Sequence, residues 1–145
     1  MKENIERLKN VVSWLNETFI PLGIKPIETL ELPKACPQVG NKCVIAVLLE
    51  KQNPKWSNDV SVGMTRIQIG YQTNIAECLE FDVPPEIAEF IRDYDAYKYP
   101  SLIDMDLIQE HYKNDPYAQR DIFSLMKSAG IDVGTRIEEL EDGDI

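Results

Sequence analysis

Apolar positions recur along the chain with several different spacings, and these divide it into predicted elements. Near the N-terminus Ile5, Leu8, Val11, Val12, Leu15 and Phe19 repeat every three or four residues, which makes one broad helical stripe. Asn4 stands where a capping side chain accepts a first-turn amide. A helix is therefore predicted to about Phe19, with Trp14 beside the stripe in a packing role. Pro21, Gly23 and Pro26 end it, because Pro lacks a backbone donor and Gly accepts a left-handed turn. Ile27, Leu30 and Leu32, bounded by Pro26 and Pro33, read as a short edge strand, and Pro33 to Lys42 as a loop.

The run from Cys43 to Leu49 is apolar throughout. It is short for a helix and rich in β-branched residues, which is how a strand covered on both faces reads, so it is the predicted central strand. Gln52 to Asn58 forms a loop that carries Pro54 and Trp56. From Val60 to Tyr71 the apolar positions are Val60, Val62 and Met64, then Ile67, Ile69 and Tyr71. Strand side chains alternate with period two, so this change of phase predicts an inserted residue or a change of face near Gly63. A turn over Gly70 to Asn74 leads into a third strand, Ile75 to Val83, paired with the second as a hairpin and marked by Ile75, Leu79, Phe81 and Val83. Glu77 breaks that alternation, and Asn74 with Glu77 can instead form a capping box that opens a short helix.

Helical spacing then returns. Pro84 and Pro85 with Glu86 mark a helix start, and Ile87, Phe90, Ile91 and Tyr94 form its buried side up to about Tyr97. Ser101 with Asp104 opens a third helix with Leu102, Met105, Ile108 and Tyr112 inward. Asp115-Pro116 opens a fourth, with Ala118, Ile122, Leu125, Met126 and Ala129 on one stripe and Gly130 as its left-handed end. The fold class is thus α+β: an N-terminal helix, a small mainly antiparallel sheet of three or four strands, then three C-terminal helices.

Length adds that 145 residues make one ordinary domain, which the patterning places at residues 1–133. Residues 134–145 hold five acidic side chains in the stretch Glu138 to Asp144. They offer little apolar area to offset ordering entropy, so a mobile acidic tail is expected. No segment approaches the roughly 20 apolar residues of a membrane span, and Met1 to Arg7 leads into the helix pattern without secretory-signal character. A cytoplasmic protein with no membrane contact is the expectation. Cys36, Cys43 and Cys78 cannot all pair within one chain. Reduced, partly buried thiols suit cytosolic redox conditions.

Charge changes the picture further. Residues 1–76 hold nine Lys/Arg and seven Asp/Glu, a balance of +2, whereas residues 77–145 hold six and eighteen, a balance of −12. An acidic surface of that size repels nucleic-acid phosphates and steers a basic protein surface instead. Direct nucleic-acid binding is therefore not expected.

Few chemistries survive a search of the residues. His111 is the only histidine, which limits nucleophilic catalysis to a pairing with Cys36 or Cys78. The pairs Asp93/Asp95 and Asp104/Asp106 resemble the start of a calcium loop, but Lys98 and Gln109 stand where its glycine belongs. Cys36 and Cys43 are separated by six intervening residues, wider than the usual zinc-ligand spacing. No phosphate-binding glycine loop or nucleophile elbow is present. The sequence assigns no catalytic residue, no metal ligand and no cofactor.

The expected function is a non-catalytic acidic protein-binding module, of inhibitor, immunity-type or adaptor character, whose basic protein partner is itself a candidate nucleic-acid-binding protein. Its expected contact residues are Glu86, Glu89, Asp93 and Asp95, with Trp56 as an amphipathic anchor. Trp56 has a competing role as a cap folded over the sheet. Two alternatives are a divalent-metal enzyme built from Asp93, Asp95, Asp104 and Asp106, and a homo-oligomer subunit joined through an exposed strand.

Overall fold

The computed structural model of the protein describes residues 4–28, 32–72 and 78–134. Its architecture is α+β, with an N-terminal helix, a three-stranded antiparallel sheet and three later helices. Helix α1 runs Ile5–Phe19 and buries Leu8, Val11, Val12, Leu15 and Phe19, while Asn4 Oδ1 accepts the Arg7 N–H at 3.0 Å. The stripe and cap are those the sequence predicts, because both are set within one or two turns of chain.

The apolar run after Cys43 is a helix, α2 (Val44–Gln52), and not the predicted central strand. Val44, Ile45, Ala46, Leu48 and Leu49 are all buried. A segment covered on nearly every side shows no periodicity that separates strand from helix. The length criterion misleads as well, since polar Glu50, Lys51 and Gln52 carry the helix beyond the apolar run.

Strands β1 (Val60–Val62) and β2 (Arg66–Ile69) pair antiparallel, with Val60 opposite Ile69 and Val62 opposite Ile67. The change of phase near Gly63 is thus a chain reversal, closed by the Gly63 N–H donating to Arg66 O at 2.8 Å, and not a bulge or a change of face within one strand. Strand β3 (Leu79–Asp82) pairs with β2 as the predicted hairpin, Phe81 opposite Ile67 and Leu79 opposite Ile69. Residues 73–77, which include Ile75 and the Asn74/Glu77 alternative, lie outside the described residues.

One sheet face carries Val60, Val62, Ile67, Ile69, Leu79 and Phe81; the other carries Ser61, Arg66, Gln68, Glu80 and Asp82. The apolar face joins a core that extends from Leu8 to Val133. Helix α2 lies against β1, and the Phe19 ring of α1 meets Phe81 of β3 edge-on at 5.1 Å. The outer edge of β1 is closed by the loop before α2, where the Val62 N–H donates to Gly40 O at 2.9 Å. Gly40 permits that approach, because a Cβ there would stand 3.0 Å from Val62 O.

The predicted edge strand over Ile27 to Leu32 falls largely on residues 29–31, which lie outside the described residues; Ile27, Glu28 and Leu32 themselves take part in no strand. Asn16 satisfies both backbone groups of Ile27 with its side-chain amide, at 3.0 and 2.8 Å, which leaves Ile27 no free ladder groups. The nearest pairing is a single parallel bridge between Ala35 and Ile103.

Helix α3 (Pro85–Asp95) buries Ile87, Phe90, Ile91 and Tyr94 as predicted. Helix α4 (Met105–His111) begins at Asp104, whose carboxylate accepts the Leu107 N–H at 3.1 Å; Ser101 lies in the preceding single turn, Pro100–Leu102. Helix α5 (Pro116–Ser128) is rotated from the predicted stripe: Gln119, Phe123 and Met126 are buried while Leu125 is 59% exposed. Gln119 can face inward because its amide donates to Tyr112 O at 2.7 Å. Its C-terminus closes through Gly130 at φ +86°, with Gly130 N–H to Lys127 O and Ile131 N–H to Met126 O both at 3.0 Å, a Schellman arrangement.

Candidate partner-binding surface

The predicted contact acids lie on α3, and the structure gives most of them bonds inside the protein. Arg7 on α1 reaches across to Asp93 at 2.6 Å and to Glu89 at 3.3 Å, and Lys98 stands 3.4 Å from Asp93. Asn10, one helical turn beyond Arg7, donates to Glu86 at 2.6 Å. Asp95 faces the loop before α2, where its carboxylate accepts the Gln38 N–H at 2.7 Å and its carbonyl accepts the Gln38 side-chain amide at 2.9 Å. Three of the four acids thus form a polar seam between α1 and α3, and the fourth pins a loop.

Their titration follows from these surroundings. Burial pushes Asp93 upward, yet the hydrogen bond from Arg7 and the charge of Lys98 outweigh it and hold the carboxyl below its ordinary value. Asp95 is shifted up by burial, only partly offset by the Gln38 amide. With side chains only 16% and 21% exposed, Asp93 and Arg7 form a pair that one-sided removal disrupts. Arg7→Met is expected to cost ~1–2 kcal/mol at neutral pH, discounted from a fully buried pair for residual solvent access. A depressed carboxyl stabilises above its unfolded pKa and loses that contribution as pH falls through the folded value. The gap between wild type and Arg7→Met should therefore be full at neutral pH and close as pH falls to and below the ordinary carboxylate range, through the depressed Asp93 value. Denaturant unfolding across that range checks it; a gap independent of pH would show that the ion pair is not its source.

Glu89 remains 52% exposed and Glu86 is also exposed, so these two still present carboxylate to solvent. Upstream, Glu80 and Asp82 are exposed on the polar face of β3. Glu80 meets Arg66 and Gln68 across the ladder, each at 3.1 Å. The expected contact set omits Glu80 and Asp82, although their alternation with Leu79 and Phe81 signals them. It also omits Arg7 and Asn10, a polar flank beside the α1 stripe.

Trp56 sits in the single turn Pro54–Trp56 and packs on the core rather than standing free, its ring edge-on to Phe19 at 6.3 Å. It therefore fills the capping role at the rim of the core.

The remaining chemistry-bearing groups are dispersed. Burial raises the Cys36 thiol to about 11 and the Cys43 thiol to about 12, so both are protonated and poorly nucleophilic at neutral pH. The His111 ring lies edge-on to Tyr112 at 4.6 Å, and no hydrogen bond joins it to a cysteine among the described residues. A cavity of about 50 Å³ opens between Gln38, Gly40, Cys43, Val62, Ile91 and Asp95. That space suits one or two waters rather than a substrate, since ligand pockets run from about 300 Å³ upward. Among the described residues, no three His, Cys, Asp or Glu side chains converge in a metal-holding arrangement, and no helix is long and apolar enough to cross a membrane. Comparison of the chain with family models, curated proteins and solved structures finds no match.

Proposed function

We propose that the protein is a non-catalytic protein-binding module that engages a basic surface of another protein. The observation that carries this reading is the run of exposed carboxylates Glu80, Asp82, Glu86 and Glu89 along β3 and the start of α3. Between residues 78 and 106 eight acidic side chains face only Arg92 and Lys98 in the same stretch. Such a field raises association rates with basic partners and weakens with salt. Inhibitor, immunity-type and adaptor roles all share this chemistry, and a nucleic-acid-binding protein is the basic partner it suits best, because the carboxylates can stand in for phosphates in its groove.

The seam described above decides how to test it. Neutralising Asp93, only 16% exposed in the seam, or the loop-pinning Asp95 would perturb folding together with binding. Glu86 and Glu89 stay exposed, and an amide there still offers an acceptor to Asn10 and Arg7. The informative variant is therefore Glu80→Gln with Glu86→Gln and Glu89→Gln. Affinity capture from host lysate at low and moderate salt, with mass spectrometry, should retain a basic protein at low salt and release it on screening. The triple variant should weaken that association by roughly tenfold, in line with steering by several exposed charges. Unchanged retention by the variant at low salt would sink the reading.

A further inference from the structure

Strand β3 lies at one edge of the sheet, in the order β1-β2-β3. The Val83 N–H donates to Thr65 O at 3.0 Å, so position 83 is bonded inward to the β2 side. Antiparallel pairs alternate between bonded and non-bonded, which turns the backbone groups of Phe81 inward and those of Glu80 and Asp82 outward. Among the described residues nothing pairs with that outer edge, whereas the β1 edge is closed by Gly40. Leu79, on the core side of the sheet, is 45% exposed there.

We infer that the β3 edge is a docking strand for an extended segment of a protein partner in which Lys or Arg alternates with Val or Ile. This rests on the basic-partner reading above and adds where and in what conformation the contact is made. A strand added alongside β3 pairs its backbone with Glu80 and Asp82. Its side chains alternate between two faces whichever way it runs. One set lies beside Glu80 and Asp82 and is matched by cations; the other lies beside Leu79 and Phe81 and is matched by branched aliphatic groups. A second copy of this chain is the wrong occupant, because pairing two β3 strands sets Glu80 and Asp82 against their own kind, and like charges directly opposite are destabilising.

The test uses the isotopically labelled full chain and a synthetic peptide alternating lysine and valine, with a control peptide N-methylated on the amides that would face β3. The lysine peptide should shift the Glu80 and Asp82 amide resonances and slow their exchange with solvent. N-methylation should weaken binding at least about tenfold, and Glu80→Lys with Asp82→Lys should transfer preference to the peptide with glutamate in place of lysine. Equal binding of the N-methylated peptide would overturn edge docking while leaving the basic-partner reading intact. Absence of any binding by the lysine peptide at low salt would count against both. Slow Glu80 and Asp82 exchange in the free protein, with a concentration-dependent dimer in sedimentation, would assign the edge to a second copy and overturn the inference.

Discussion

Replacing Phe19 with alanine is expected to lower stability by about 3–5 kcal/mol, the range for truncating a wholly buried aromatic ring. Phe19 is inaccessible to solvent, and its ring is met edge-on by Trp14 at 5.8 Å, Trp56 at 6.3 Å and Phe81 at 5.1 Å. One side chain therefore joins the end of α1, the turn after α2 and β3. Truncation removes its apolar transfer energy and leaves a void that three rings on separate elements cannot close together. Because the chain has two tryptophans and both touch this ring, native-state fluorescence should shift to the red as well. Guanidinium unfolding gives the free energy and the emission maximum gives the environment. An unchanged midpoint with unchanged emission would mean that Phe19 does not hold these elements together.

Val47→Pro is expected to cost about 3 kcal/mol or more, because proline inside a helix removes a hydrogen bond and clashes with the carbonyl four residues back. That bond is Val47 N–H to Cys43 O at 3.0 Å, the first full turn of α2. Val47 is only partly buried, so Val47→Ala separates backbone from packing: alanine is favoured in helices and disfavoured in strands. The alanine variant should stay within about 1 kcal/mol of wild type. Should alanine cost as much as proline, or proline be tolerated, the helical assignment of this segment would fall.

What was legible in the sequence divides by the range over which each signal acts. The caps at Asn4 and Asp115 and the turn at Gly130 are read within five residues of chain, and each stands in the structure with its expected hydrogen bonds, whereas α4 is capped by Asp104 and not by the predicted Ser101. The α1 and α3 stripes were legible because each helix has one wet face and one dry face. The α5 stripe was not, since Gln119 is buried by virtue of a carbonyl seven residues earlier, and Leu125 is left outside. The acidic character of residues 77–145 was plain, but the division of labour among those acids was not. Asp93 and Glu89 resemble any solvated helix acid until Arg7 arrives from a helix more than eighty residues away.

The sequence by itself determined the α+β class, the caps and breaks of most helices, the β2–β3 hairpin and the acidic bias of the second half. These depend on propensity, periodicity and charge, which act locally or by simple summation. Only the tertiary structure decided that the apolar run after Cys43 is a helix, because a segment enclosed on nearly all sides carries no face-specific pattern. Tertiary structure also decided which carboxylates are enclosed, Asp93 against Arg7 and Asp95 against Gln38, and which stay exposed on β3 and α3, because a side chain's partner comes from whatever the fold places across from it.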